Sequence, residues 1–379
     1  MLDFVGAELQ LNRSKRQEGC SIQRGVMTAR SKCRLGYGIL LSLALCGGFA
    51  SAGTTQANVQ SAASFYSGKI LKFIVPDDVG GGYDAYARLL TRHLADHIPG
   101  HPRIVTVNMP GAAGLVATNW LFNVAPSDGS VIGSTYNTLL TEPLLGNAAA
   151  KYNPTKFEWI GSVTTQYNVC MMWHTSSVET IEDAKKREVR VSTTGLNGNS
   201  AKLPLMLNAL LGTKFKVIAG YTSGGMRLAV ERGEVEGICG VPYDTYAAAN
   251  PEWLLDGKAR FILQTGPKPA QALPKVPLLL DYIRDTKQRA ALNLLAVDQD
   301  AGRPQLFPPG VPIYLVDAMR RAFDDTMQDP KFRAEAASMH IQPEPLSGTQ
   351  IEAKLKQAYA APKDVVALAQ TLWLPGLQK

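Results

Sequence analysis

The sequence predicts an α/β protein built from two lobes. From Lys69 onwards, strand-like and helix-like segments alternate, which is the signature of βαβ units with mainly parallel sheets. The 379 residues suggest about two domains, each large enough to bury a core of its own. Apolar residues make up 45% of the chain and charged residues 19%, a balance that excludes a disordered or membrane-embedded protein.

The first series of elements begins with a strand at 71–75. A helix is predicted over 84–98, because apolar residues recur every four positions from Tyr86 to Ile98 and Pro99-Gly100 then ends it. The series continues with strands at 104–107 and 131–134 and with helices at 114–123 and 139–145.

A second series begins near Phe157 and indicates a second lobe. Its strands are predicted at 169–173, 189–192, 215–219 and 235–239, and its helices at 181–187, 201–211 and 226–232. A further strand at 260–264 could return the chain to the first lobe. Residues 273–310 are rich in proline and are interpreted as connections around one helix. Helical periodicity returns at 316–327, 331–339 and 351–359.

A segment typical of an export signal precedes these elements. Residues 36–50 carry no charge, follow a basic stretch and end at the small residues Ala50-Ser51-Ala52. The run is shorter than the roughly 20 residues of a membrane-spanning helix, so an uncleaved anchor is the weaker interpretation. We expect a cleaved signal peptide at 1–52, with Met27 as an alternative start, and a periplasmic protein.

The positive charge does not indicate a nucleic-acid-binding protein. Residues 1–52 hold seven Lys/Arg and three Asp/Glu, a net charge of +4, which leaves only +3 of the formal +7 for the rest. Beyond residue 52 the basic residues are scattered among acids, with no Arg-rich run that contains aromatic residues. We therefore expect no nucleic-acid partner.

Two cysteines remain after the predicted signal is removed. Cys20, Cys33 and Cys46 belong to the signal, which leaves Cys170 and Cys239. An exported chain with two cysteines permits one disulfide, and two buried free thiols are the alternative. The sequence contains no CxxC or Cys/His cluster, so neither zinc nor another cofactor is predicted.

Several strand-to-helix loops are suited to an anion. The loop over 76–84 contains three consecutive glycines before a helix, where backbone amides and the helix dipole favour a carboxylate or phosphate. It lacks the residues of a P-loop and the spaced glycines of a dinucleotide site. Comparable loops occur at 136–138, 197–200 and 221–225. Such loops could converge on one cleft at the carboxyl ends of the strands, and the alternative for each is a helix cap without a ligand.

Catalytic motifs are weak by comparison. The mature part contains no Gly-x-Ser-x-Gly motif, and His174 is tied to no acid or nucleophile. His93, His97 and His101 are spaced by four, but a Pro-Gly step separates the third, so a solvated face is predicted rather than a metal site. The paired acids Asp77-Asp78 are either solvated or placed to recognise an amine or cation, and Asp78 is a candidate ligand contact.

Several motifs occur in order over about Lys69 to Gln370. They are Ile74-Val75-Pro76 to Gly80-Gly81-Gly82-Tyr83-Asp84-Ala85-Tyr86-Ala87-Arg88, Asn108-Met109-Pro110-Gly111-Ala112-Ala113-Gly114, Ala125-Pro126-Ser127-Asp128-Gly129, Gly195 to Ser200, Tyr221 to Gly225, Gly233-Glu234-Val235-Glu236-Gly237 and Pro308-Pro309-Gly310-Val311-Pro312. In these motifs the chain resembles the extracytoplasmic solute-binding receptors of tripartite tricarboxylate transporters, the Bug-type proteins.

The resemblance implies a type II-like periplasmic binding protein fold, with two Rossmann-like lobes joined by crossover strands and a ligand cleft between them. The first lobe would comprise 69–156 and 265–379, and the second 157–264. Carried over by position, the ligand contacts would be Gly81, Gly82, Tyr83, Asn137 and Thr138 on one wall and Asn197, Asn199, Ser200, Tyr221, Tyr243 and Asp244 on the other.

The implied activity is capture of a small organic carboxylate for the permease subunits of such a transporter, by a monomer without catalytic residues. The alternatives are a sensor subunit for a signalling receptor and an exported enzyme on the same fold. One departure affects the ligand class. Relatives usually have an aromatic or small residue and then proline before the glycines, where this chain has Asp77-Asp78-Val79. Two acids at this position would repel a simple di- or tricarboxylate.

Overall fold

Two β-sheets organise the part of the chain that the structure describes. The computed structural model describes residues 59–373 except Asn197, all within the unit Ala50–Lys379. The predicted signal peptide and its three cysteines lie outside the described residues. Within that described range, no helix has the length and apolar character needed to span a membrane.

The first sheet has six strands and contains the amino-terminal βαβ units. In spatial order the strands are β11 (Leu346–Ser347), β4 (Glu158–Ser162), β10 (Pro304–Phe307), β3 (Val131–Ser134), β1 (Ile70–Val75) and β2 (Arg103–Asn108). β1 pairs in parallel with both β2 and β3. The carboxyl ends of these three strands therefore meet at one edge, where the glycine-rich loop follows β1.

The second sheet has five strands. Their spatial order is β7 (Phe215–Ala219), β6 (Val189–Thr193), β8 (Gly237–Pro242), β5 (Asn168–Trp173) and β9 (Ala259–Thr265). All six residues of β5 are buried, because neighbouring strands and helices cover this apolar segment. β6 pairs in parallel with β7 and β8.

The prediction of mainly parallel sheets needs correction, since both sheets are mixed. β10 runs antiparallel to both β3 and β4, and β5 runs antiparallel to both β8 and β9. The physical reason is the crossover between the sheets. Residues 163–167 carry the chain from β4 in one sheet to β5 in the other, and the segment after β9 carries it back to β10, so β5 and β10 do not enter their sheets through βαβ units.

Helices cover both sheets. They are α1 (residues 59–66), α2 (Gly82–His97), α3 (Leu115–Asn123), α4 (Ile181–Lys186), α5 (Asn199–Leu211), α6 (Ser223–Glu231), α7 (Tyr243–Ala249), α8 (Pro251–Leu255), α9 (Leu279–Tyr282), α10 (Thr286–Asp300), α11 (Ile313–Gln328), α12 (Pro330–Ser338), α13 (Gly348–Tyr359) and α14 (Lys363–Trp373). Reciprocal side-chain caps at Thr180/Asp183 and Ser347/Gln350 fix where α4 and α13 begin.

The helix predicted at 139–145 is wrong. Only a 3-10 turn forms there, over Asn137–Leu140, and it is followed by further turns. Pro143 lies within the predicted span and has no amide hydrogen to donate to a helix. The segment instead places polar side chains at the end of β3, next to the candidate site.

The predicted boundary between the lobes, at residue 157, lies directly before strand β4. β4 pairs within the six-stranded sheet, although the second lobe is predicted to begin at residue 157. Separate apolar clusters pack around Phe73 and Phe323 on the first sheet and around Trp173 and Trp253 on the second. A third cluster contains residues from both sheets and helices α10 and α14. This shared core joins the two sheets beneath the candidate cleft.

Candidate ligand-binding cleft

A cavity of about 510 Å³ lies between loops that follow strands of the two sheets. The six-stranded sheet contributes Ala112, Ala113, Leu115, Thr138, Leu139 and Glu142. The five-stranded sheet contributes residues at the amino ends of α5 and α6, in β8 and in α7: Gly198, Asn199, Ser200, Lys202, Met226, Arg227, Gly240, Val241, Pro242 and Thr245. A molecule in this cavity would contact both sheets at once.

The amino end of α5 forms one part of the wall. Its N-cap is Gly198, which has no side chain to accept hydrogen bonds from the first amides of the helix. Ser200 is buried, and its Oγ lies 2.7 Å from Oγ1 of Thr193 at the end of β6. The helix dipole and the uncapped amides favour a negatively charged group at this position.

Two basic side chains line the same part of the wall. Arg227 on α6 and Lys202 on α5 form no ion pair with any described residue. Lys202 Nζ lies 4.5 Å from the centroid of the Trp373 ring, and burial lowers its pKa. Glu142 lines the same cavity, accepts a hydrogen bond of 2.8 Å from Nδ2 of Asn147, and by its charge raises the pKa of Lys202 against the effect of burial. Among the described residues, the wall therefore carries two cations from the five-stranded sheet and one acid from the six-stranded sheet.

The glycine-rich loop before α2 already holds a carboxylate of the chain itself. Oδ2 of Asp77 accepts a hydrogen bond of 3.1 Å from the amide of Tyr83, in the first turn of α2. Oδ1 accepts from the amide of Asp78 at 3.0 Å and from the hydroxyl of Tyr136 at 2.9 Å. A side chain at Gly81 would displace this carboxylate from its hydrogen bonds.

A second carboxylate of this loop, that of Asp84, has a structural role. Asp84 is 2% exposed and accepts hydrogen bonds of 2.9 Å each from Arg88 Nε, the amide of Gly80 and Nδ2 of Asn108. The hydrogen bond from Arg88 is the main reason that the pKa of Asp84 falls to about 2. Asp84 thus stays ionised and locks the loop onto β2, while the side chain of Asp78 is exposed.

Tyr83 and Asn137 lie in a hydrogen-bond network rather than in the cavity wall. The Tyr83 hydroxyl accepts from the amide of Asn137 at 2.9 Å and lies 3.1 Å from both Asn137 Oδ1 and the Gly302 carbonyl. Nδ2 of Asn137 donates to Gln166 Oε1 at 3.0 Å and to the Asp298 carbonyl at 2.7 Å. These bonds connect the loop after β3 to the crossover and to α10.

Arg303 packs against two tyrosines of α2, and the sequence did not predict it as a site residue. Its guanidinium carbon lies 4.4 Å from the Tyr83 ring centroid and 4.8 Å from that of Tyr86. Nη1 donates to the Gly302 carbonyl at 2.8 Å, while the buried Nε has no partner among the described residues. No local motif marks this arginine, because Tyr83 and Tyr86 are over 200 positions away in the chain.

The remaining residues predicted to contact the ligand do not all lie in one cavity. Thr138, Asn199 and Ser200 line the first cavity. Tyr243 and Asp244 line a second cavity of about 550 Å³, together with Tyr86, Tyr167, Lys268 and Glu344. Tyr221 lines neither cavity, and its hydroxyl lies 3.3 Å from Glu234 Oε2. Gly81 and Gly82 lie in the loop with Asp77, and Asn197 lies outside the described residues.

The predicted solvated histidine face needs correction. His93 Nε2 lies 2.6 Å from Glu335 Oε2, and His97 Nε2 lies 3.0 Å from Asp329 Oδ2. These pairs join α2 to α12 and its N-cap, so both histidines have a structural role. In the range from residue 59 to residue 373, no group of three or more His, Cys, Asp or Glu residues is arranged to hold a metal ion.

Cys170 and Cys239 face each other in register on the antiparallel strands β5 and β8. The structure joins them in a disulfide, and both residues are fully buried. The bond lies within the five-stranded sheet, one strand away from the loop after β6.

Comparison with known proteins identifies the fold. No family model matches the sequence, and no curated protein matches it. Among solved structures, a TctC solute-binding protein from Polaromonas, without ligand, is 20% identical, with a TM-score of 0.63 over 81% of this chain and 98% of that one. The periplasmic binding protein BugD is 20% identical, with a TM-score of 0.56 over 81% and 98%. MatC from Rhodopseudomonas palustris, with bound malate, is 18% identical, with a TM-score of 0.55 over 79% and 99%. The chain shares the two-lobed α/β fold of these proteins.

Proposed function

We propose that this protein is an extracytoplasmic solute-binding protein that captures a small organic carboxylate and delivers it to the permease of a tripartite tricarboxylate transporter. The observation that carries the proposal is the cavity between the two sheets. It combines the uncapped amino end of α5 with Arg227 and Lys202, and neither side chain is paired with an acid in the part of the chain that the structure describes.

The fold supports the same proposal. The solved proteins that share it include solute-binding proteins, one of which holds malate. We propose two lobes close to the predicted 69–156 with 265–379 and 157–264, except that β4 belongs to the first because it pairs in the six-stranded sheet, and that these lobes close over the ligand by a hinge motion. A periplasmic monomer that forms and breaks no covalent bond is sufficient for this role.

The side chains that line the cavity favour ligand binding over catalysis. An amino end of a helix and two cations hold an anion without activating a nucleophile. Among the described residues of the wall, Ser200 is the one serine, and its hydroxyl is paired with Thr193 rather than with a histidine. We therefore propose that the protein returns its ligand unchanged.

Native mass spectrometry tests the proposal directly. We expect protein purified without denaturation to release one small organic acid when it is unfolded. The same acid should remain unaltered after prolonged incubation with the protein. Release of a nucleotide or a peptide, or conversion of the acid to a product, would contradict the proposed function. Uptake of the acid by vesicles that contain the permease, dependent on this protein, distinguishes transport from sensing.

A further inference from the structure

Aliphatic side chains from both sheets line the first cavity. The six-stranded sheet contributes Leu115, which begins α3, and Leu139 in the turn after β3. The five-stranded sheet contributes residues of α6 and β8: Met226, Ile238, Val241 and Pro242. A ligand that spans the cavity would therefore pack against apolar residues of both sheets.

This apolar part of the wall is continuous with the core of the protein. Ile238 and Met226 are 1% and 6% exposed and belong to the apolar cluster of the five-stranded sheet. Leu139 belongs to the core that the two sheets share, and Leu115 packs against it. Aliphatic side chains neither donate nor accept hydrogen bonds, so this part of the wall favours an apolar group over a hydroxyl group or a second carboxylate.

Most polar groups of the wall already have a partner or a proposed role. Ser200 is hydrogen-bonded to Thr193, and Glu142 accepts a hydrogen bond from Asn147. The amino end of α5 and the two cations beside it are the groups that we propose hold the carboxylate. The other polar side chains of the wall are one asparagine and three threonines, which each carry a methyl group: Asn199, Thr138, Thr194 and Thr245. The described wall thus offers the body of a ligand few hydrogen-bond partners.

We infer that the ligand of this cavity is a carboxylate with a bulky apolar body, such as an aromatic or cycloaliphatic ring. Its carboxylate lies at α5 and Arg227, and its body packs against the aliphatic side chains of the two sheets. The volume of about 510 Å³ is within the range of roughly 300–1,000 Å³ that encloses ligands of this kind. A hydroxylated body would lose its hydration there without regaining all of its hydrogen bonds. The inference rests on the proposed function and narrows its ligand class.

Calorimetric titration with matched pairs of monocarboxylates tests it. The two members of each pair have the same charge and the same number of non-hydrogen atoms, but one body is apolar and the other is hydroxylated: propionate and glycolate, benzoate and erythronate, 2-naphthoate and glucuronate. The wild type should bind benzoate or 2-naphthoate at least about tenfold more tightly than its hydroxylated partner. Propionate should bind more weakly than the tighter of these two, because it buries less apolar surface.

Two variants of the wall and one control locate the apolar body. Leu115→Asn places an amide in the wall from the six-stranded sheet, and Val241→Thr replaces a methyl group by a hydroxyl of similar size in the wall from the five-stranded sheet. Each should weaken binding of the tighter apolar acid by about three- to tenfold and leave the affinity for its hydroxylated partner within about twofold. Val116→Asn is the matched control, because Val116 is 46% exposed, follows Leu115 in α3 and does not line the cavity. Its affinities should stay within about twofold of the wild type. Thermal unfolding of each variant shows whether it is folded.

Two results would overturn the inference while leaving the proposed function intact. One is a wild type that binds the hydroxylated member of a pair as tightly as the apolar member. The other is that folded Leu115→Asn and Val241→Thr both bind the apolar acid as tightly as the wild type, although Arg227→Gln weakens it. Absence of binding for all six probes would instead remove the carboxylate site on which both proposals depend.

Discussion

At the scale of single residues, the sequence predicted where the loops lie but not which partners each side chain in them contacts. The glycine-rich loop was predicted to favour an anion, and it does surround one, contributed by Asp77. That outcome depends on Tyr136, which lies 59 positions away and completes the hydrogen bonds. Arg303 likewise acquires its aromatic neighbours only in the folded chain. Contacts between distant residues leave no periodic or local pattern in the sequence.

The buried carboxyl of Asp298 gives a prediction for pH dependence. Asp298 is 3% exposed. Its Oδ2 accepts a hydrogen bond of 2.7 Å from Thr141 Oγ1, and its Oδ1 has no hydrogen-bond partner among the described residues. Burial raises its pKa well above the usual value, Glu142 raises it further, and Lys202 opposes the shift. Because the folded state holds this proton more tightly than the unfolded state, the contribution of Asp298 to stability falls as pH rises from the unfolded to the folded pKa.

We therefore expect Asp298→Asn to gain stability over the wild type as the pH is raised. The gain is about 1.4 kcal/mol for each pH unit between the two pKa values, because the amide keeps the acceptor for Thr141 and needs no charge. Denaturant unfolding from pH 4 to pH 8 measures it. Parallel stability curves for the two proteins would show that Asp298 does not hold a proton in the folded state.

At the scale of elements, local patterns predicted most strands and several helices within a few residues. β3, β7 and α3 match closely because apolar runs bounded by turn residues define them. β10 was absent from the prediction, since a four-residue strand that begins with proline has no distinctive pattern. Its partners β3 and β4 are far from it in sequence, so only the whole fold gives it a place in the sheet.

The bridge between β5 and β8 gives a prediction at this scale. The two cysteines are 69 positions apart, and a cross-link over such a loop stabilises a protein by about 2–4 kcal/mol, largely by restricting the unfolded chain. We expect that maleimide will label neither Cys170 nor Cys239 when the protein is denatured without reductant. Reduction should lower the free energy of unfolding by the stated amount. Labelling of both thiols before reduction would exclude the bridge, and a double Cys→Ala variant provides the control for reductant effects.

At the scale of the whole molecule, the candidate binding cavity depends on both sheets together. Each sheet contributes residues to the wall, and the cavity that contains Lys202 and Arg227 exists only where the two sheets meet. The sequence predicted convergence of the loops on one cleft. It did not predict that Tyr243 and Asp244 line a different cavity from Asn199 and Ser200. Three residues of the crossover, Thr164, Thr165 and Tyr167, line the second cavity and not the first.

The central claim is that an organic acid binds between the sheets at α5 and Arg227, and calorimetric titration of Arg227→Gln tests it most directly. The acid identified by mass spectrometry is titrated into the wild type, Arg227→Gln and Arg232→Gln. Arg232 is the matched control, since it ends the same helix and its side chain is 67% exposed outside the cavity. We predict that Arg227→Gln weakens binding by about 10- to 100-fold and that Arg232→Gln changes it by less than about twofold. Equal affinities for the wild type and Arg227→Gln would contradict the account.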